Sequence, residues 1–175
     1  MIRNFKEQLA DIRAFAFDVD GVLTDGTLHL HPSGELLRTS NVRDGYAIHR
    51  ALEMGYPVAI ISGGSSDTLR RRFEGLGLSD LYLGCADKPA ALSDFCARHG
   101  IGPERVLYMG DDLPDYHVMR LAGLATCPQD ADSEIKQISA YISNFDGGRG
   151  CVRDVIEQVL RLNGHWGPSA NGQMQ

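Results

Sequence analysis

The chain has 175 residues, 43% of them hydrophobic and 23% charged. That length is enough for one domain with its own core, without disulfides or a structural metal. Its 17 basic and 23 acidic residues leave a net charge of −6, which argues against nucleic acid or an anionic membrane as partner, since both require a basic face.

The first ten residues mix Arg3, Lys6 and Glu7 with isolated apolar residues and do not read as a secretory signal. No apolar run approaches the ~18 residues of a membrane span, so a soluble, cytoplasmic protein is expected. Residues 14–17 (AFAF) form a continuous apolar run that ends at Asp18. Runs of this kind suit strands covered on both faces, as in a parallel sheet. Residues 27–39 follow as a β-hairpin with a Pro32-Ser33-Gly34 turn. A helix is expected over residues 44–54, then a strand over 58–61 running into Ser62. Further helices are expected at 66–74, 88–99, 113–121 and 152–162, with further strands at 81–83, 106–109, 124–126 and 141–142. Glycines stand where helices should stop. The alternation predicts an α/β fold, a doubly wound parallel sheet. One unit over residues 1–163 is expected, with a flexible C-terminal tail at 164–175; in it Trp166 packs on a neighbour or does nothing. The cysteines (Cys85, Cys96, Cys127, Cys151) are far apart and read as free thiols, and the histidines show no ligand spacing.

Polar residues collect where three of the strands end. Asp18-Val19-Asp20-Gly21 follows the first strand, Ser62-Gly63-Gly64 the second, and Gly110-Asp111-Asp112-Leu113-Pro114-Asp115 the fourth, while Lys88 opens the helix after the third. Ligands of open α/β sheets bind at the carboxyl ends of strands. Asp44, Asp67 and Asp80 read instead as local caps or turn formers. Each piece alone has such a structural reading; the set in this order points to phosphoryl transfer. Clustered carboxylates repel unless a cation holds them, and oxygen ligands suit Mg²⁺. One carboxylate can act as nucleophile, and a second, two residues on, can move protons. Glycine amides, a hydroxyl and a lysine can take the charge of the phosphoryl oxygens.

Asp18-x-Asp20-Gly21-Val22-Leu23-Thr24-Asp25-Gly26, Ser62-Gly63, Lys88 and Gly110-Asp111-Asp112-x-x-Asp115 resemble the four motifs of the haloacid dehalogenase-like phosphatase superfamily. More narrowly, Asn41-Val42-Arg43-Asp44-Gly45-Tyr46 and Gly147-Gly148-Arg149-Gly150-Cys151-Val152-Arg153 resemble the family of 3-deoxy-D-manno-octulosonate 8-phosphate phosphatases, over residues 12–162. The resemblance implies a Rossmann-like fold and hydrolysis of a sugar-acid phosphate in lipopolysaccharide sugar synthesis. It implies Asp18 as nucleophile, Asp20 as acid and base, and Mg²⁺ on Asp18, the Asp20 carbonyl and Asp111. It gives phosphate binding to Ser62, Gly63 and Lys88, and supporting places to Asp115, which orients Lys88, and to Asp112. Arg43 can reach a sugar carboxylate or serve a structural ion pair, and Arg149 suits an acidic sugar. Gly64 stands where some members carry a basic residue, which removes one substrate contact.

Neither interval between motifs has room for a cap domain. Family members solve this by forming a homotetramer in which hairpins pack together, and the leucines of the 27–39 hairpin fit that role. A nine-carbon sugar-acid 9-phosphate is the alternative substrate; Arg149 favours the eight-carbon acid, because the related loop of nine-carbon enzymes tends to carry an acidic residue. A non-enzymatic phospho-receiver or regulatory module is the alternative of another class. Against it stands the Asp-x-Asp on the first strand, where a receiver places its phosphorylated Asp on a later one.

Overall fold

The computed structural model describes residues 4–167. Its centre is a parallel sheet of β1 (Ala14–Phe17), β4 (Val58–Ser62), β5 (Asp80–Leu83), β6 (Val106–Met109), β7 (Leu124–Cys127) and β8 (Tyr141–Ile142), in the order β5-β4-β1-β6-β7-β8. The expected Rossmann-like topology is the one found. From β1 the chain builds outward on one side through β4 and β5, then returns to build the other side from β6. Strand order therefore reverses at β1, and a crevice opens above β1, β4 and β6.

Side-chain alternation sorts the core into two layers. Phe15, Phe17, Val58, Ile60, Leu107 and Met109 face α2 (Val42–Glu53), α3 (Asp67–Gly75) and α7 (Cys151–Leu162). Ala14, Ala16, Ala59, Ile61, Val106 and Tyr108 face α4 (Lys88–His99), α5 (Tyr116–Met119) and α6 (Ser133–Ile138). All four β1 residues are fully buried, which is why the run shows no polar alternation.

Several boundaries differ from the expected ones, each for a local reason. Helix α2 begins at Val42 because the Asn41 carboxamide accepts from the Arg43 and Asp44 amides and takes the cap. Ser66 likewise caps α3 through the Leu69 amide. The expected helix at 113–121 is a 3₁₀ turn, Leu113–Asp115, followed by only one turn of α-helix in α5. A short α1 (Phe5–Leu9), held by an Asn4/Glu7 capping box, and α6, capped by Asp132, were not anticipated. The hairpin exists, but its strands β2 (His29–Leu30) and β3 (Leu36–Leu37) have two residues each. Residues 164–167 dock rather than trail: His165 Nδ1 lies 3.1 Å from the Tyr56 hydroxyl, and Trp166 meets Tyr46 edge-on under the Arg153 guanidinium. The rest of the expected tail, 168–175, lies outside the described residues.

Asp44 is no local cap. It is buried, and its Oδ1 accepts from the Arg153 amide at 2.8 Å, so a side chain of α2 caps the N-terminus of α7. Burial pushes its pKa up to about 6, against the lowering effect of the Arg153, Gly150 and Val152 amides. Its folded pKa thus lies above its ordinary value of 3.8. The stability it contributes is complete below that value and is lost as pH rises through 6. Against Asp44→Asn, whose amide carries no such charge, the wild type should lose thermal midpoint steadily between pH 4 and 6. A flat difference across that range would refute the buried-charge account.

Candidate active site

The ends of three central strands bring the motif residues to one crevice. Asp18 follows β1 directly, its amide donating to the Met109 carbonyl of β6 at 3.1 Å. Ser62 closes β4, and Asp111 follows β6. Lys88, at the start of α4, reaches in from the side. The cleft, about 740 Å³, is lined by Asp18, Asp20, Ser62, Gly63, Lys88, Asp111, Asp112 and Asp115 among others. That volume lies in the range of small-molecule sites. Arg43 and Arg149 do not line it. They lie in a different groove with Arg153, Glu157 and Arg161, and Arg149 sits 3.6 Å from Asp25.

Lys88 is buried between two carboxylates, with Nζ 2.7 Å from Asp115 Oδ1 and 3.2 Å from Asp18 Oδ1. Burial alone would pull its pKa down; Asp18 and Asp115 outweigh that and hold it above its usual value, so it stays an ammonium. Asp115 also accepts from the Tyr108 hydroxyl at 2.9 Å and from the Asp111 amide at 3.2 Å. These donors fix its carboxylate, which in turn fixes Lys88. Tyr108 lies inside an apolar strand, where the sequence alone marks it as core. Asp112 is exposed and accepts from the Leu113 amide at 2.8 Å, capping the 3₁₀ turn.

Oxygen atoms of Asp18, Asp111 and Asp115 lie within 4.8 Å of one another. Burial, then the Asp115 charge, lifts Asp18 to about 7. Burial, then Asp18 and Asp115, lifts Asp111 to about 8. One ammonium does not neutralise this cluster, and a small hard cation suits it. The fold also clears space for it. A Cβ at Gly21, whose φ is +89°, would fall 2.0 Å from Asp111 Oδ2. Asp115 is the most tightly held of the three, by Lys88, Tyr108 and the Asp111 amide, while Asp18 has a longer contact to Lys88. The Asp20 carboxylate is not part of this cluster.

The Asp20 carboxylate is held by Arg38, from the segment after β3, with Nε to Oδ1 2.6 Å and Nη2 to Oδ2 3.0 Å. No motif in the sequence marks Arg38 for this place. Ser62 is buried, and its Oγ accepts from the Gly64 amide at 3.2 Å, so the hydroxyl and the turn form one cradle. The glycine-rich loop 147–150 abuts the turn after Asp18: a Cβ at Gly147 would lie 2.0 Å from the Gly21 carbonyl.

This fold and site have known counterparts. A family model of haloacid dehalogenase-like hydrolases matches residues 80–153. The 3-deoxy-D-manno-octulosonate 8-phosphate phosphatase KdsC of Escherichia coli K12 is 41% identical over 154 residues, 88% of this chain and 82% of the relative. The crystal structure of that phosphatase from Yersinia pestis superposes with a TM-score of 0.89 at 38% identity, covering 91% of this chain and 86% of that one. The Moraxella catarrhalis phosphatase, solved with magnesium ion, phosphate ion and KDO, gives 0.85 at 35% identity, covering 89% and 90%. With the acidic cluster, Lys88 and the Ser62 turn in the cleft above β1, the chain belongs to the 3-deoxy-D-manno-octulosonate 8-phosphate phosphatase family of haloacid dehalogenase-like hydrolases.

Proposed function

We propose that the chain is a Mg²⁺-dependent phosphatase that hydrolyses 3-deoxy-D-manno-octulosonate 8-phosphate to the free sugar acid and phosphate, in lipopolysaccharide sugar synthesis. The observation that carries this reading is the convergence of Asp18, Asp111 and Asp115 in the switch-point cleft, with Lys88 paired to Asp18 and Asp115. Asp18 attacks phosphorus, and the bond from phosphorus to the sugar oxygen breaks as Asp20 gives that oxygen a proton. Asp20 then takes a proton from water, which attacks the aspartyl-phosphate and frees both phosphate and Asp18. The Ser62 hydroxyl, the Gly63 amide and Lys88 hold the phosphoryl oxygens. A bound Mg²⁺ on Asp18, Asp111 and the Asp20 carbonyl would offset the gathering negative charge.

The same reading includes a homotetramer. Its support is the hairpin, where Leu30 is 81% exposed and Leu28, Leu36 and Leu37 are exposed beside it. Arg43 and Arg149 meet substrate only where a neighbouring subunit closes their groove onto a cleft.

Phosphate release with Mg²⁺ tests the proposal. The octulosonate 8-phosphate is expected to exceed a nine-carbon sugar-acid 9-phosphate and hexose phosphates by at least about tenfold in kcat/KM, roughly 1.4 kcal/mol. Excess chelator should stop release. Mg²⁺ alone should raise the thermal midpoint by about 3–8 °C, and Asp111→Asn should remove that rise. Equal rates on all substrates would remove the sugar assignment; a midpoint indifferent to Mg²⁺ would remove the cation site.

A further inference from the structure

We infer that Arg38 is a positioning residue for the acid/base step: it holds the Asp20 carboxylate in the orientation that exchanges protons in the cleft. The inference rests on the reading of Asp20 as proton donor and acceptor.

The guanidinium meets both carboxylate oxygens, Nε to Oδ1 at 2.6 Å and Nη2 to Oδ2 at 3.0 Å. A fork of this kind fixes the plane of a carboxylate as well as its position. The Asp20 side chain is 32% exposed, so without a partner it would be free to swing into solvent, whereas the Arg38 side chain is only 6% exposed. Arg38 lines a small cavity beneath the hairpin with Leu23, Leu36, Leu69 and Phe73, not the cleft itself. It therefore approaches Asp20 from behind, and it acts through Asp20 rather than on substrate.

The surroundings hold this arrangement. Arg38 Nη1 donates to the Leu36 carbonyl at 2.8 Å. The hairpin is tied to α3 by the Thr68 hydroxyl, which donates to Glu35 Oε1 at 2.6 Å. A Cβ at Gly64 would stand 3.0 Å from both Arg38 Nη2 and Asp20 Oδ2, so the glycine leaves room for the contact. A carboxylate offers about four acceptor sites; the fork uses two, and the others remain to carry the proton given to the leaving oxygen and to accept one from the attacking water.

The chemistry separates positioning from mere structure. A sugar alkoxide needs a proton to leave, whereas a p-nitrophenolate does not; both phosphoenzymes need a base for hydrolysis. With p-nitrophenyl phosphate and Mg²⁺, Arg38→Ala is expected to release about one equivalent of p-nitrophenolate rapidly. A steady rate about 30- to 100-fold below wild type should follow, with KM within about threefold. On the octulosonate phosphate both steps slow and no burst appears. Arg38→Lys, which keeps one donor and the charge, should recover about tenfold of the lost rate. Should Arg38→Ala not fold by circular dichroism, Arg38→Gln carries the same test.

Wild-type rates in these variants would overturn the inference. So would a raised KM with kcat unchanged, since that marks a substrate contact, or an equal loss of burst and steady rate. A wild type that hydrolyses the aryl phosphate but not the octulosonate phosphate removes the substrate reading while the burst still decides Arg38. A wild type that hydrolyses neither overturns both.

Discussion

Asp18→Asn is expected to lower kcat by on the order of 10⁴- to 10⁶-fold, while the chain stays folded and no less stable than its parent. The activity half follows from the role: an amide has no anionic oxygen to attack phosphorus, and no other carboxylate can take its place. Asp115 is tied to Lys88 and Tyr108, and Asp20 is tied to Arg38. The stability half follows from burial. Asp18 is lifted to about 7 by desolvation first and Asp115 second. A carboxyl whose folded pKa lies above its unfolded value favours folding at low pH and loses that contribution as pH rises through the folded pKa. Above pH 7 the charge at Asp18 is therefore a cost that the amide removes. Lys88 keeps Asp115 at 2.7 Å, so it does not become an unpaired charge. Single-turnover phosphate release and thermal melting at pH 8 check the two halves separately. Activity within tenfold of wild type would end the nucleophile assignment; a fall in midpoint of several degrees would show that Asp18 is needed for the fold.

What the sequence discloses depends on whether a role is local along the chain. Strands buried on both faces read as unbroken apolar runs, so the polar residues that end them, Asp18, Ser62 and Asp111, stand out at once. The helix starts at Ser66 and Lys88 are similarly local, capped by the side chains of Ser66 and Asp87. Arg38 is different. It is an ordinary basic residue after a two-residue strand, and only the return of the hairpin toward the turn after β1 brings it to Asp20, 18 positions away in sequence. Asp44 misleads for the opposite reason: its place near a helix start suggests a local cap, but Asn41 already has that task, and Asp44 accepts from the Arg153 amide in the first turn of a helix, 109 positions on. Tyr108 alternates with core residues and gives no polar signal until its hydroxyl is seen on Asp115. For Arg43 and Arg149 the motif says that an arginine is present, but the fold decides which groove it enters.

Lys88→Met is expected to cost both stability and rate, and the two losses should separate when Mg²⁺ is added. Lys88 is buried, and its ammonium is shared between Asp18 and Asp115. Removing one partner of a buried ion pair typically costs about 3–5 kcal/mol, because the remaining charge is left uncompensated. Here the remainder is a cluster in which Asp18 is already lifted to about 7 and Asp111 to about 8, burial being the first cause of each. Lys88 lowers both values, so without it the two carboxyls stand higher still, and ionising them at pH 8 should cost the variant much of its stability. As pH falls toward 6 both take up protons, repulsion fades, and the variant should approach the wild type in thermal midpoint. Mg²⁺ on Asp18 and Asp111 should restore stability in the same way, since a cation again offsets the cluster. It should not restore turnover, because the ammonium that neutralises the transferring phosphoryl group is still missing, and loss of one such electrostatic donor costs on the order of 10²- to 10³-fold in kcat. Recovery of rate together with stability would mean that Lys88 serves the cluster alone. A midpoint equal to wild type at pH 8 without Mg²⁺ would mean that water, not Lys88, solvates these carboxylates. Loss of rate persisting after stability returns would place Lys88 at the phosphoryl group, with the preservation of an acidic pocket as its second task.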